Sequence, residues 1–358
     1  MSKIILNVGV VGTGVGREHI NAYRLQPEKF RVKAICSFDS EMGTKLASYD
    51  SDCYFTDNIL KLLADKSIHI IDICVPPIGH FELIRRVLSS NKHVICEKPL
   101  VSSLAQFDEL ESDLRISKYR IFPVFQYRFG DGFRSLIRCH EIGILGSPLI
   151  ASLETHWSRG TEYYSVPWRG TWQGELGGAL LGHAIHIHDM ATLILGEVSS
   201  VAGFADTLVN PIETEDCAAI SMRMHSGALV TSSVTLGAVE NNSRFRICFK
   251  NVTVDSDIRP YVVGGGIWKF SAKQPHIQKE IESVCYKIRN EKRFEGFAGF
   301  VSSVYDALMS ETDFEVSLES ARQSIELVTA FYSAIRSGQQ ESLPLSSEHP
   351  YYSGWIPR

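Results

Sequence analysis

Residues 4–16 read IILNVGVVGTGVG and place the chain in a fold class. Ile4–Val11 is a short apolar run of the kind that forms a buried strand, and Gly12-Thr13-Gly14-Val15-Gly16 follows without a gap. Arg17–Leu25 then carries its apolar residues at helical spacing. Strand, glycine loop and helix in that order is the setting a dinucleotide requires. The glycines let backbone approach a pyrophosphate, and the helix N-terminus offers N–H groups and a favourable dipole. The usual spacing would put the third small residue at Arg17; here Gly16 comes one residue early.

Further along, Val32–Ser37 is the second strand, and its last residue should meet the adenosine ribose. An acid there grips the 2′-hydroxyl of NAD, whereas a nearby arginine accepts the 2′-phosphate of NADP. The chain offers Ser37, Phe38 and Asp39, and Asp39 precedes the helical segment Glu41–Ser48, where it is expected as an N-cap. NAD or NADP therefore stays an open choice. Asn58–Ala64 is a helix, and Ile68–Val75 a central strand, apolar apart from His69 and Asp72, halted by Pro76-Pro77. After the helix Phe81–Leu88, Lys92–Pro99 reads KHVICEKP. Its apolar run stops at Glu97, Lys98 and Pro99, as a buried strand does at a turn. Ligands of open parallel sheets sit beyond the carboxyl ends of the strands, so Glu97 and Lys98 are expected at the lip of a crevice. A lysine there can shed solvation, shift its pKa and take part in proton transfer. Ser102–Leu114 and Ile121–Phe125 add a helix and a last strand, giving a doubly wound parallel sheet, a Rossmann domain over residues 1–125.

Residues 126–358 follow a different pattern. After the helix Phe133–Glu141, Leu149–Trp157 opens a series of longer alternating strands. Ala218–Met224 and Ala228–Leu236 form a hairpin around Ser226-Gly227, and Phe245–Phe249 and Val252–Val254 flank Lys250-Asn251 in the same way. The expectation is a second α/β domain with a large, mostly antiparallel, open-faced sheet, used for substrate binding and for assembly into a homodimer or homotetramer. Two late stripes are core: Phe297, Phe300, Val304 and Leu308, then Ala321, Ile325, Val328, Tyr332 and Ile335. Disorder is expected from Gly264–Gly266 to Pro275.

Composition excludes several classes. The 358 residues are 44% hydrophobic and 22% charged, with 36 Lys and Arg against 41 Asp and Glu and a formal charge of -5. There is no basic stripe for nucleic acid. The N-terminal apolar run is too short to span a membrane and has no cleavage-site pattern. The eight cysteines are scattered without a CxxC pair, which points to a reducing cytoplasm and away from disulfides or structural zinc.

The densest polar constellation is Trp168-Arg169-Gly170-Thr171-Trp172 followed by residues 177–189, GGALLGHAIHIHD. Gly178 to Leu195 suits one long helix opened by glycines. His183 and His186 share a face and His188 points elsewhere. Imidazole is the usual general base near neutral pH. Because the three histidines do not converge and no cysteine completes a set, no metal is expected. Trp157, Trp168, Trp172, Tyr163 and Tyr164 add aromatic faces around this stretch, some of them core.

Taken together, the glycine loop, Pro76-Pro77 followed by His80, EKP at 97–99, QYRF at 126–129, WRGTW at 168–172, the histidine stretch at 177–189 and the tail HPYYSGW at 349–355 resemble the glucose–fructose oxidoreductase/inositol dehydrogenase (Gfo/Idh/MocA) family. The resemblance runs over essentially the whole chain. It implies hydride transfer between NAD(P) and a secondary alcohol or ketone of a sugar, cyclitol or related polyol, with Lys98 and His186 catalytic at the reacting oxygen. By the same match, Gly12, Thr13, Gly14, Ser37, Pro76, Pro77, His80, Glu97, Gln126, Trp168 and Arg169 belong to the cofactor side, and Lys98, His183 and His186 to the substrate. Relatives often carry an aspartate four residues before the catalytic histidine; here that position is Gly182, so either His183 or a water takes over its orienting role or the proton relay is simplified. Two other readings remain on the same fold: a dinucleotide-binding sensor without turnover, and an enzyme that retains NAD for elimination or glycoside cleavage.

Overall fold

A computed structural model describes residues 4–310 and 314–357. The chain forms two compact units: residues up to Phe125 together with Phe297–Arg322, and Gln126–Gly296 together with the residues from Gln323 onward.

The first unit is built on a six-stranded parallel sheet. Its strands are β1 (Leu6–Val11), β2 (Phe30–Cys36), β3 (Tyr54–Thr56), β4 (Ile70–Ile73), β5 (His93–Cys96) and β6 (Ile121–Pro123). Their order is β3-β2-β1-β4-β5-β6. The central strands are apolar on both faces because helices cover both; Val8, Val10, Ile71, Ile73, Val94 and Ile95 are completely buried. Asp39, Asn58 and Ser103 cap three of these helices, accepting hydrogen bonds from the N–H groups of Met42, Leu60 and Gln106. The strand order reverses between β1 and β4, which makes the ends of these two strands the place where a parallel sheet opens a crevice.

Phe297–Arg322 belongs to this unit although it lies far along the chain. Tyr305 donates to the carbonyl of Ile4 at 2.9 Å, Lys29 to the Ser302 hydroxyl at 2.7 Å, and Arg120 to the carbonyl of Ala307 at 2.8 Å. The Phe314 ring meets Phe122 edge-on at 5.1 Å.

The second unit holds an eight-stranded sheet. Its strands are β7 (Pro148–Ser158), β8 (Val198–Asp206), β9 (Cys217–Met224), β10 (Leu229–Thr235), β11 (Gly237–Phe249), β12 (Val252–Asp255), β13 (Lys269–Ala272) and β14 (Glu341–Ser342). The order is β13-β12-β11-β7-β10-β9-β8-β14, and among this sheet's described pairings β7–β10 is the one that runs parallel. Strict alternation buries Ile220, Met222, Val230 and Val234 on one face. The opposite face carries Ser221, Arg223, Thr231 and Ser233, with Phe204 81% exposed among them, so it is more polar than the sequence pattern implies.

Two expectations are corrected here. Gly264–Pro275 is built into the unit: it contains β13, and Trp268 is buried with its indole N–H on the carbonyl of Val263. Gly178 to Leu195 is not one regular helix but a π-helical turn, Leu180–Ala184, followed by the α-helix Ile185–Leu195. The carboxylate of Glu215 takes the N–H groups of Gly178 and Leu180, and its carbonyl takes that of Ala179, so the turn is fixed from β9's side of the unit. No helix among the described residues is long and apolar enough to cross a membrane.

Candidate active site

In the first unit, Gly12 has φ of +100°, and a Cβ there would stand 2.4 Å from the carbonyl oxygen of Cys74, so only glycine fits. A Cβ on Gly14 would meet nothing within 4 Å, leaving backbone open to a ligand. Gly16 performs the task of the third glycine despite its early position: a Cβ there would press on Val10 and Cys74 at 3.2 and 3.3 Å, where helix Gly16–Arg24 crosses the sheet. The loop thus fits a dinucleotide pyrophosphate. At the end of β2 the Thr13 and Ser37 hydroxyls are 3.0 Å apart, while the Asp39 carboxylate is occupied in its cap. Pro76 and Pro77 lead into a single 3₁₀ turn, Pro77–Gly79. His80 is completely buried, its two ring nitrogens on the carbonyls of Pro99 and Val75 at 2.7 and 2.9 Å. It therefore ties the EKP loop to the end of β4 instead of presenting a ring to a nucleotide.

Glu97 is anchored by residues that the sequence pattern did not single out. Its Oε2 accepts the N–H of Lys98 at 3.1 Å, and its Oε1 lies 3.1 Å from His19 Nε2. His19 Nδ1 meets Asp72 at 2.8 Å, and Tyr23 donates to the same carboxylate at 2.7 Å. Burial opposes charge on His19, but Asp72 and its neighbours outweigh it and raise the imidazole well above its ordinary pKa. His19 thus bridges Asp72 and Glu97 through its two ring nitrogens. The donor atoms of His19, Asp72 and Cys74 lie within 4.8 Å of one another, as metal ligands would. Burial pushes the Cys74 thiol upward, and the three side chains hydrogen-bond each other, so a proton-sharing cluster is the better description.

In the second unit, QYRF and the histidine helix meet. Gln126–Arg128 is one 3₁₀ turn. The Tyr127 ring stacks on His186 with centroids 4.5 Å apart and planes 20° from parallel. Arg128 grips Asp189 with two hydrogen bonds, Nε to Oδ2 at 2.7 Å and Nη2 to Oδ1 at 2.5 Å. Burial raises the Asp189 carboxyl and Arg128 opposes that rise. Asp189 follows His186 by three residues, so the clamp fixes the helical turn that carries the imidazole. His188 is turned away onto Ser232 at 2.8 Å, and burial drives its pKa down to about 3.

His183 lies near Tyr163, whose hydroxyl is 3.4 Å from Nε2, and edge-on to Trp157 at 5.2 Å. Arg169 stacks on Trp168 and Tyr163, pairs with Glu175 at 3.3 Å and donates to the Tyr163 hydroxyl. Glu175 also takes the N–H of Gly170 at 2.6 Å. At Gly182 a Cβ would meet nothing within 4 Å. Gly12, Thr13, Gly14, Ser37, Pro76, Pro77, Glu97 and Lys98 lie in the first unit, and Gln126, Trp168, Arg169, His183 and His186 in the second. Sequence reasoning missed His19, Asp72, Tyr127 and Asp189. The lone Asp72 in an apolar strand was the available signal.

Residues 6–122 match the family described as an oxidoreductase family with an NAD-binding Rossmann fold, GFO_IDH_MocA, and residues 133–254 match the GFO/IDH/MocA C-terminal domain. The chain is 30% identical over 250 residues to the uncharacterized oxidoreductase YrbE of Bacillus subtilis, covering 68% of each. It is 26% identical over 252 residues to myo-inositol 2-dehydrogenase of Thermotoga maritima, covering 67% of this chain and 69% of that one. Across five of its curated relatives, the chain spans between 58% and 69% of their length. Among solved structures, the WlbA dehydrogenase of Bordetella pertussis in complex with NADH and UDP-GlcNAcA superimposes with a TM-score of 0.82 at 23% identity, covering 96% of this chain and 100% of that one. With the glycine loop, the EKP turn and the clamped histidine helix in place, the chain belongs to the Gfo/Idh/MocA oxidoreductases, a family with an NAD-binding Rossmann domain.

Proposed function

We propose that the protein oxidises a secondary alcohol of a sugar, cyclitol or related polyol, or reduces the matching ketone, with Lys98 and His186 acting on one substrate oxygen. The observation that carries this reading is the care with which His186 is held, by Tyr127 against its face and by the Arg128–Asp189 pair one turn along. A histidine with only a packing role needs no such clamp. In this reading His186 accepts the hydroxyl proton and the Lys98 ammonium stabilises the developing alkoxide. The nicotinamide of bound NAD, or NADP, supplies the redox chemistry; the chain aligns and shields it. The glycine loop and Ser37 hold the nucleotide, with Gln126, Trp168 and Arg169 on the nicotinamide side. The name of the myo-inositol 2-dehydrogenase relative supports a polyol substrate. A cytoplasmic location and a homodimer or homotetramer belong to the same reading.

The test is NAD(P)H absorbance over a panel of sugars, sugar acids and cyclitols, after a thermal-shift titration has chosen between the nucleotides. Lys98→Ala and His186→Asn should each lower kcat by about 10²–10⁴-fold with nucleotide affinity retained. Near-normal turnover in both variants removes the proposed roles. Turnover without net NAD(P)H release favours the elimination reading, and nucleotide binding without turnover of any compound favours the sensor.

A further inference from the structure

The second unit carries three arginines near the histidine helix, and two of them are answered by carboxylates: Arg128 by Asp189 and Arg169 by Glu175. The third, Arg159, follows β7 and has no carboxylate partner among the described residues. Its guanidinium lies among three aromatic rings, with Trp157 and Tyr163 at 5.1 Å and Tyr261 at 5.3 Å. One end is secured: Nη1 donates to the carbonyl of Ser158 at 2.8 Å and to the Tyr261 hydroxyl at 3.1 Å, with Asn241 Oδ1 at 3.4 Å. The Nε–H, by contrast, is buried without a hydrogen-bond partner. Tyr261 reaches its place at a φ of +64°, which an aromatic residue rarely adopts.

Arg159 is also central to the residues already described. Of the rings around it, Trp157 touches His183, Tyr163 touches both His183 and Arg169, and its charge acts on the Tyr127 hydroxyl, whose ring lies on His186. Aromatic faces offset part of the cost of keeping a cation half-buried, but they accept no N–H bond in the ring plane. A half-buried guanidinium ringed by aromatic faces and answered by no carboxylate is therefore a standing cost that an incoming anion removes.

We propose that Arg159 is a specificity-determining residue that binds a carboxylate on the substrate, so that the polyol oxidised is a sugar acid such as a uronate or aldonate. The inference rests on the hydride-transfer reading above. Arg159 and Arg169 against Glu175 leave one positive charge in this cluster, which a single carboxylate balances. A phosphate carries roughly 1.5 to 2 charges and calls for more cations than the cluster provides. The aromatic rings that flank the guanidinium leave apolar walls for the sugar carbons.

The experiment is calorimetric titration of the NADH-loaded protein with matched pairs: D-glucuronate against D-glucose, D-galacturonate against D-galactose and D-gluconate against D-glucitol, with glucose 6-phosphate as a further probe. At least one acid should bind ten or more times tighter than its neutral partner. In Arg159→Met the preference should fall to within about twofold, with NADH affinity and Tm retained; Arg159→Lys should keep part of it. The proposal is overturned if no acid outbinds its partner, if the preference survives in Arg159→Met, or if glucose 6-phosphate binds better than every acid. Weakened NADH binding in Arg159→Met also overturns it, since the arginine would then serve the nucleotide. Because binding is read without turnover, an acid preference in a protein that oxidises nothing sinks the hydride-transfer reading alone. Oxidation of neutral polyols without an acid preference sinks this one alone.

Discussion

Arg128 and Asp189 exchange two charge-assisted hydrogen bonds where neither is exposed, and such a pair matters most for what its loss leaves behind. Arg128→Met leaves a buried carboxylate unanswered and should cost about 3–5 kcal/mol of stability, measured by urea denaturation. An unchanged midpoint would show that the carboxylate is relieved in some other way. Tyr127→Leu keeps apolar bulk beside His186 but removes the flat ring. It should cost about 1 kcal/mol of stability or less while lowering kcat well beyond that, a split that a purely structural tyrosine would not produce. Gly182 offers the reverse experiment. The open space at its Cβ accommodates Gly182→Asp, one helical turn before His186. An anion there favours the charged imidazole, so the acid limb of kcat/KM should move up by about half a unit to one unit. A limb that stays in place would show that the carboxylate does not reach the ring.

Among elements, the π-helical turn depends on Glu215. This carboxyl is fully buried, accepts from Gly178, Leu180 and Tyr332, and is pushed by burial from 4.5 up to about 7. Between those values the folded chain holds a proton that the unfolded chain has released. The group's stabilising contribution is therefore complete below about pH 4.5 and is lost as pH rises through about 7. Relative to Glu215→Gln, the wild-type protein should lose stability between about pH 5 and pH 8, by at most about 3 kcal/mol. A stability difference that stays flat over that range would place the proton elsewhere. Nothing in the residues 177–189 announces this turn, because its cause sits in the loop that precedes β9. For the same reason the His19 cluster was illegible: its partners are 53 and 78 residues away. What could be read was local, namely glycine spacing after a strand, alternation in the hairpins and the abrupt end of β5 at EKP. The helix Pro275–Asn290 escaped notice because Ile281 is its one fully buried residue, too little to mark a stripe.

For the molecule as a whole, the open face of the large sheet combines serine, threonine and arginine with Phe204 at its β8 side. If this face joins copies of the chain, as the proposed homodimer or homotetramer requires, sedimentation at micromolar concentration should show no stable monomer. Phe204→Glu should then shift the population toward monomer, because a desolvated carboxylate at such a contact is unpaired. A wild-type monomer ends that expectation.

The return of Phe297–Arg322 to the first unit carries a consequence for biosynthesis. Translation of the opening 125 residues delivers every strand of the parallel sheet, yet the Tyr305 and Phe314 rings that lie against Phe30 and Phe122 are still unmade. Until position 322 clears the ribosome, the nascent nucleotide-binding half waits with aromatic surface uncovered, and a gene cut after codon 125 should yield an aggregation-prone product. Supplying residues 297–322 on a separate peptide should restore part of its solubility.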